Sequence, residues 1–276
     1  MNRSELGAAL RALRQASDKE AKAVARSAVM STSKLSKIEN GHTAPSVIDV
    51  ERILTALGVS ETVKSQYMDV ARAQATEATA WRLYRRMGYH RKQQQIRALD
   101  DSMASLRLFQ PSLIPGLLQT PEYVRAILEK KDLGEEELAR TVAARLDRQR
   151  VLYDSRKNLR FIITEPALRW RLLPPRMMAG QLDRIISVSR LSNVDMRIVP
   201  LAAEQQDAPG HSFVIRDDRM VSVEITHAEI MVTDPRDVAL YVRKFERFAS
   251  VAVSGDDMRA LVARIRDEFL REREIG

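Results

Sequence analysis

The chain contains no cysteine. Disulfides, thiolate metal sites and cysteine nucleophiles are therefore excluded, and the absence suits a reducing compartment. No apolar run approaches the length of a membrane span, and the opening Met-Asn-Arg-Ser-Glu-Leu lacks the apolar core of an export signal, so a soluble cytoplasmic protein with no membrane partner is expected. The chain has no internal repeat, no low-complexity segment and none of the GxGxxG, P-loop, HExxH or GxSxG fingerprints. The expectation is a protein that is not an enzyme and needs no cofactor or metal.

Excess charge is missing from most of the chain as well. The net charge is +8, yet residues 98–276 balance to zero. Residues 1–60 carry +3, residues 61–80 carry −1, and residues 81–97 hold six bases without one acid. A polyanionic partner would therefore engage the first third. The length of 276 residues and a 45% hydrophobic content allow two domains with a sizeable core.

Within that first third, apolar residues recur at helical spacing. Leu6, Leu10 and Leu13 predict a helix from Arg3 to Gln15, and Ser17 with Glu20 has capping-box spacing for a second helix to about Ala28. Ser31 is placed to cap a third helix ending at Gly41, Ser46 a fourth ending at Gly58, and Ser60 a fifth running to about Thr76. Residues 77–98 read as a basic linker helix or pair of helices carrying Arg82, Arg85, Arg86, Arg91, Lys92 and Arg97, whose charges serve either DNA phosphates or acids of the following domain. From residue 99 the pattern changes. Strands are predicted at 159–164, 194–199, 212–216, 220–226 and 229–232 among helices, an α+β order without a βαβ repeat. The expected organisation is an all-α domain of five helices at 1–76, the linker at 77–98, and an α+β domain at 99–276.

The third helix is unusual in its polarity. In Ser31-Thr-Ser-Lys-Leu-Ser-Lys-Ile-Glu-Asn-Gly41 only Leu35 and Ile38 are apolar, and hydroxyls and lysines precede the first acid. A helix start of this kind offers free amides to phosphate and short polar side chains to base edges. The plain alternative is a capped, solvated helix.

Together with Leu6–Arg14 and Pro45-Ser46, this run resembles the helix-turn-helix domain of Xre-type and phage-repressor regulators, over roughly the first 60 residues. The resemblance implies double-stranded DNA as partner. By position in that family, Thr32, Ser33 and Lys37 would read bases, Lys34 a base or a phosphate, and Ser31, Asn40 and His42 the backbone. It also implies that Glu39 pairs with Arg14 as a scaffold contact. The chain departs from the family at Ala21, where a glutamine is usual, and at Val29, where the turn glycine is usual. The first puts one phosphate contact in question, and the second implies a wider or strained turn.

The motifs Ile114-Pro-Gly-Leu-Leu-Gln-Thr-Pro-Glu-Tyr123, Arg145-Leu-Asp-Arg-Gln-Arg-Val-Leu152, Ile163–Leu168 and Asn193–Pro200 resemble the long domain of unknown function that follows this motif in many actinobacterial regulators. That resemblance implies a transcriptional regulator associated with the nucleoid, often encoded beside a small acidic partner protein. Selecting an operator implies a homodimer.

Three further features of this domain bear on function. His211, Glu224 and His227, with Asp207 nearby, have the residue types of a metal or acid–base site, but histidines at such spacing are more often ordinary residues. Arg145, Arg148 and Arg150 read mostly as a solvated helix face, with Arg148-Gln149 open to lining an anion pocket. The Pro115–Thr120 turn either plugs the core or walls a groove. The rival function is an enzyme- or toxin-like second domain with an autoregulatory first one.

Overall fold

The computed structural model describes residues 3–43, 45–80, 88–225 and 228–272. The chain divides into two compact units, Met1–Ala78 with Met231–Val238, and Thr79–Ile230 with Ala239–Gly276.

The first unit is built from α1 (Arg3–Ala16), α2 (Ala21–Ser27), α3 (Thr32–Glu39), α4 (Val47–Leu57) and α5 (Glu61–Ala75), followed by the strand β1 (Thr76–Ala80). Leu6 and Leu10 of α1, Leu35 and Ile38 of α3, and Val50, Ile53 and Leu54 of α4 meet in one core. α1 lies so close to the end of α3 that a Cβ on Gly7 would stand 2.2 Å from the Ile38 carbonyl oxygen. The helix ends are held by side chains. Ser31 Oγ accepts from the Lys34 amide at 3.1 Å, and Ser46 and Asp49 form a reciprocal capping box on α4. Lys19 Nζ donates to the carbonyls of Ala56 and Leu57 at the end of α4, where Gly58 adopts φ 72°.

Two expectations are corrected here. Ser17 and Glu20 form no capping box: Glu20 itself holds the N-cap position of α2 without a side-chain bond, while Ser17 Oγ donates to the Arg14 carbonyl and Asp18 turns the chain at φ 53°. Residues 77–98 are not one helix. β1 runs to Ala80, and a separate helix, α6 (Tyr89–Ser102), starts only after Gly88 at φ 95°.

The second unit continues with β2 (Ser105–Gln110), α7 (Pro121–Glu129), α8 (Glu135–Arg148), β3 (Asn158–Thr164), α9 (Glu165–Arg169), α10 (Pro175–Val188) and β4 (Val194–Val199). It ends with β5 (Phe213–Arg216), β6 (Met220–Glu224), β7 (Ala228–Val232), α11 (Pro235–Val251), β8 (Val253–Ser254) and α12 (Gly255–Arg271). The sheet runs β7-β6-β5-β2-β3-β4-β8. β2, β3 and β4 are parallel, in register at Leu106–Leu159 and Leu159–Val194, whereas β5, β6 and β8 pair antiparallel to their neighbours. The domain is therefore α+β with a mixed sheet. The expected absence of βαβ units is corrected, since α7 with α8, and then α9 with α10, lie between successive parallel strands.

The β5–β6 hairpin turns at Asp217 and Asp218, both at φ 51°, the geometry that matches the twist of paired strands. Asp217 Oδ1 also accepts from the amides of Ala104 and Ser105 and so sets the start of β2. Tyr123, Phe161, Leu168, Leu182 and Ile265 lie in one core beside the sheet, and Phe109 of β2 stacks on Phe248 of α11 at 4.1 Å. Several buried charged groups are held in networks. Asp100 at the end of α6 accepts from Arg216 at 2.9 and 3.0 Å and from Arg148 at 3.0 Å, while Lys157 Nζ donates to the carbonyls of Asp100, Asp101 and Met103.

Candidate nucleic-acid interface

α3 is amphipathic by design of spacing. Leu35 and Ile38 are fully buried, and Thr32, Ser33, Ser36 and Lys37 are exposed on the opposite side. Ser31, whose hydroxyl caps the helix, leaves the amides of the first turn facing outward beside Thr32 and Ser33. This end offers uncompensated N–H dipoles and hydroxyls, and the exposed Lys37 follows in the last turn, a combination suited to an anionic, hydrogen-bonding surface.

The remaining residues expected at the interface are differently placed. Lys34 Nζ donates to Asp49 Oδ1 at 2.6 Å, so its head group is held against α4. Asp49 is 6% exposed. Burial would raise its carboxyl, but the bonds from Lys34 and Ser46 prevail and its pKa lies below the ordinary value. Asn40 closes the C-terminus of α3: its Nδ2 donates to the Ser36 carbonyl at 2.8 Å and its Oδ1 accepts from Arg11 Nη1 at 3.1 Å. His42 is exposed just beyond Gly41, which turns the chain at φ 72°. Arg82, Arg85 and Arg86 lie outside the described residues.

Arg14 and Glu39 meet in a two-pronged pair, with Nε donating to Oε1 at 2.7 Å and Nη2 to Oε2 at 2.8 Å. Both carboxylate oxygens are used, so the acid nearest the exposed face of α3 presents no free charge there and instead fastens α3 to α1. Val29, in the turn between α2 and α3, sits at φ 54° with 74% of its surface exposed. Arg11 and Asp49 both position the end residues of α3, and sequence reasoning missed both. Their sequence signals are weak: Arg11 is one of several bases on α1, and Asp49 shows only as the third residue after Ser46 begins the cap.

Of the other residues with titratable side chains, Lys92 pairs with Glu229, and Arg97 pairs with Asp147 and Asp101, so two of the six linker bases meet acids of the second unit. Arg91 is exposed. His211 bonds the Tyr241 hydroxyl at 3.2 Å, Asp207 is occupied by Lys244 at 2.6 Å, and His227 lies outside the described residues.

A sequence profile described as a helix-turn-helix domain matches residues 5–65, the stretch that holds α1 to α4. A second, described as a domain of unknown function, DUF5753, matches residues 93–264. The chain belongs to the DUF5753 family. With its helix-turn-helix domain it is built as a DNA-binding protein, and no helix among the described residues is long and apolar enough to cross a membrane. No curated protein matches the chain. Among solved structures, a phospholipase D family member, Nuc from Salmonella typhimurium, is 12% identical over 65% of this chain and 98% of its own, with a TM-score of 0.35. TrmBL2, an archaeal chromatin protein with a novel mode of DNA binding, is 13% identical over 74% of this chain and 66% of its own, with a TM-score of 0.34. At these scores neither likeness carries an argument about this chain.

Proposed function

We propose that the protein is a sequence-specific transcriptional regulator of Xre type that acts by binding and not by catalysis. Its first unit reads operator DNA as one half of a homodimer, and its second unit receives a small-molecule or protein signal. The observation that carries this reading is the exposed, capped polar end of α3, set on a helix-turn-helix domain by a buried Leu35/Ile38 face and the Arg14–Glu39 pair. Thr32, Ser33 and Lys37 read base edges. Ser31 and His42, and the bases Arg82, Arg85 and Arg86, contact phosphates. Lys34 and Asn40, tied to Asp49 and Arg11, orient the helix and add phosphate contacts at its edge. A small acidic protein encoded nearby remains a candidate signal, and an actinobacterial, nucleoid-associated setting fits this reading.

Selection of bound duplexes from a random library, followed by affinity measurement, tests the proposal. Thr32→Ala and Lys37→Ala are expected to weaken the selected operator by roughly 1–3 kcal/mol each, about 5- to 150-fold. Both side chains are exposed, so melting temperature and helical content should stay unchanged. Full operator affinity in both variants would sink the assignment of α3 as the reading helix.

A further inference from the structure

The second unit holds a partly open cavity of ≈ 280 Å³, near the lower end of the range for small-molecule sites. Leu113, Ile114 and Leu117 form an apolar wall, with Ile127 beside them. This wall is held in place before any ligand arrives. Gln119 Nε2 donates to the Ile114 carbonyl at 2.7 Å, and Gln149 Nε2 donates to the carbonyls of Gly116 and Gln119 at 3.2 and 2.8 Å. The Pro115–Thr120 turn, for which the sequence left plug and groove wall as alternatives, is both: Leu117 and Leu118 lie in the core, and Leu117 also faces the cavity.

The remaining lining is charged. Arg148 and Arg216 share Asp100, and Lys92 pairs with Glu229. Arg145 differs from the other two arginines in the wall. Among the described residues its head group reaches no carboxylate; its Nε is buried without a hydrogen-bond partner, and its Nη1 makes one long bond of 3.4 Å to Gln119 Oε1. Burial and the neighbouring Arg148 charge, opposed by Glu224, push the Arg145 guanidinium down to about 10. Burial likewise pushes Lys92 down to about 8; Glu224 opposes this, while Arg148, Arg216 and Lys131 reinforce it. Lys131, Arg145, Arg148 and Arg216 thus line the cavity together with Glu224 and Glu229. A desolvated guanidinium with unused donors is a fork made for a carboxylate.

We propose that this cavity binds a small organic anion, a carboxylate on a compact apolar body, with Arg145 as its counter-ion. The apolar body packs on Leu113, Ile114 and Leu117. Glu224 and Glu229 in the same wall limit the ligand's charge, which disfavours phosphate and polyanions. The inference deepens the reading of the second unit as a signal receiver and rests on it, but its test needs no DNA, so failure of one leaves the other standing.

The test uses the full chain with a panel of hexanoate, cyclohexanecarboxylate, benzoate and phenylacetate, set against benzamide and inorganic phosphate. Each is added at about 10 mM, some tenfold above a weak Kd of about 1 mM. At least one carboxylate is expected to raise the melting temperature by about 3–6 °C, with saturable heat in calorimetry, while benzamide and phosphate do neither. Arg145→Met should abolish that shift while melting at the same or a higher temperature without ligand, because it removes a half-buried guanidinium that meets no carboxylate among the described residues. An arginine with a merely structural role would instead lower the unliganded melting temperature. Should Arg145→Met fail to fold, Leu113→Trp, which places an indole in the cavity wall, must abolish the shift. The proposal is overturned if no carboxylate of the panel binds, if benzamide binds as well as benzoate, or if the folded Arg145 variant binds unchanged.

Discussion

At the scale of single residues the first unit contains one clear conflict between side chain and backbone. Val29 takes a left-handed conformation at φ 54°, which costs a β-branched residue roughly 1–2 kcal/mol. Its side chain is 74% exposed and returns little packing energy. The turn between α2 and α3 needs that conformation because α2 ends at Ser27 and α3 is capped by Ser31, leaving few residues to reverse the chain. Glycine adopts it freely but loses more backbone entropy on folding, about 0.5–1 kcal/mol. The balance favours glycine by about 1 kcal/mol, so Val29→Gly should raise the melting temperature of the first unit by roughly 4–8 °C. A thermal melt followed by circular dichroism decides it. An unchanged or lower temperature would mean that the valine side chain contributes stabilisation beyond its visible packing. The expectation of a strained turn came from a single missing glycine, which shows how much a sequence reveals where a backbone angle restricts the residue type.

Elements were legible where a cap and a period coincided. Ser31 with Leu35 and Ile38, and Ser46 with the apolar positions of α4, fall where expected because both signals are local. Ser17 and Glu20 had the right spacing but not the right backbone, since the left-handed turn at Asp18 sends the hydroxyl back to α1. β2 escaped notice although it lies between β5 and β3 in the sheet. Its alternation of Leu106 and Leu108 with Ser105 and Arg107 spans too few residues to stand out, and Phe109, buried next to Leu108, breaks the pattern. Arg145, Arg148 and Arg150, at and just beyond the end of α8, read mostly as a solvated face, with Arg148-Gln149 open to lining an anion pocket, because spacing reveals which residues share a face, not what that face meets. Arg150 is exposed and pairs with Asp147, but Arg145 and Arg148 turn inward. The α4 cap yields a pH prediction. Asp49 has its pKa below the ordinary carboxylate value, so its contribution is complete above about pH 4 and is lost as pH falls through the folded-state value. Asp49→Asn should therefore cost about 0.5–2 kcal/mol near neutrality, with the gap to the parent protein closing below about pH 4. Melting curves of both proteins across that range measure it, and a gap that persists at low pH would assign the effect to packing instead of charge.

On the scale of the whole molecule, two facts constrain how the protein meets DNA. The surplus positive charge is confined to residues 1–97, and the exposed face of α3 presents Thr32, Ser33 and Lys37, with Ser36 accepting from Asn40 Nδ2 at 3.3 Å. Lys34 is committed to Asp49, and Asn40 to Arg11 and Ser36, so fewer groups remain for base reading than the run of polar residues promised. Three contacts at roughly 1–3 kcal/mol each read only a few base pairs, a half-site too short to be singled out among the competing sites of a genome. Pairing two copies about a two-fold axis doubles the contact set at no cost in new sequence, and it makes the operator a palindrome with half-sites one helical turn, about 34 Å, apart. The proposed regulator should therefore sediment as a dimer when bound to its selected operator, and that operator should show two-fold symmetry at this spacing. Inserting about half a helical turn between the half-sites should abolish tight binding, because the second reading helix then faces the wrong side of the duplex. A monomer on operator DNA, or affinity indifferent to half-site spacing, would require specificity to come from residues other than those on α3.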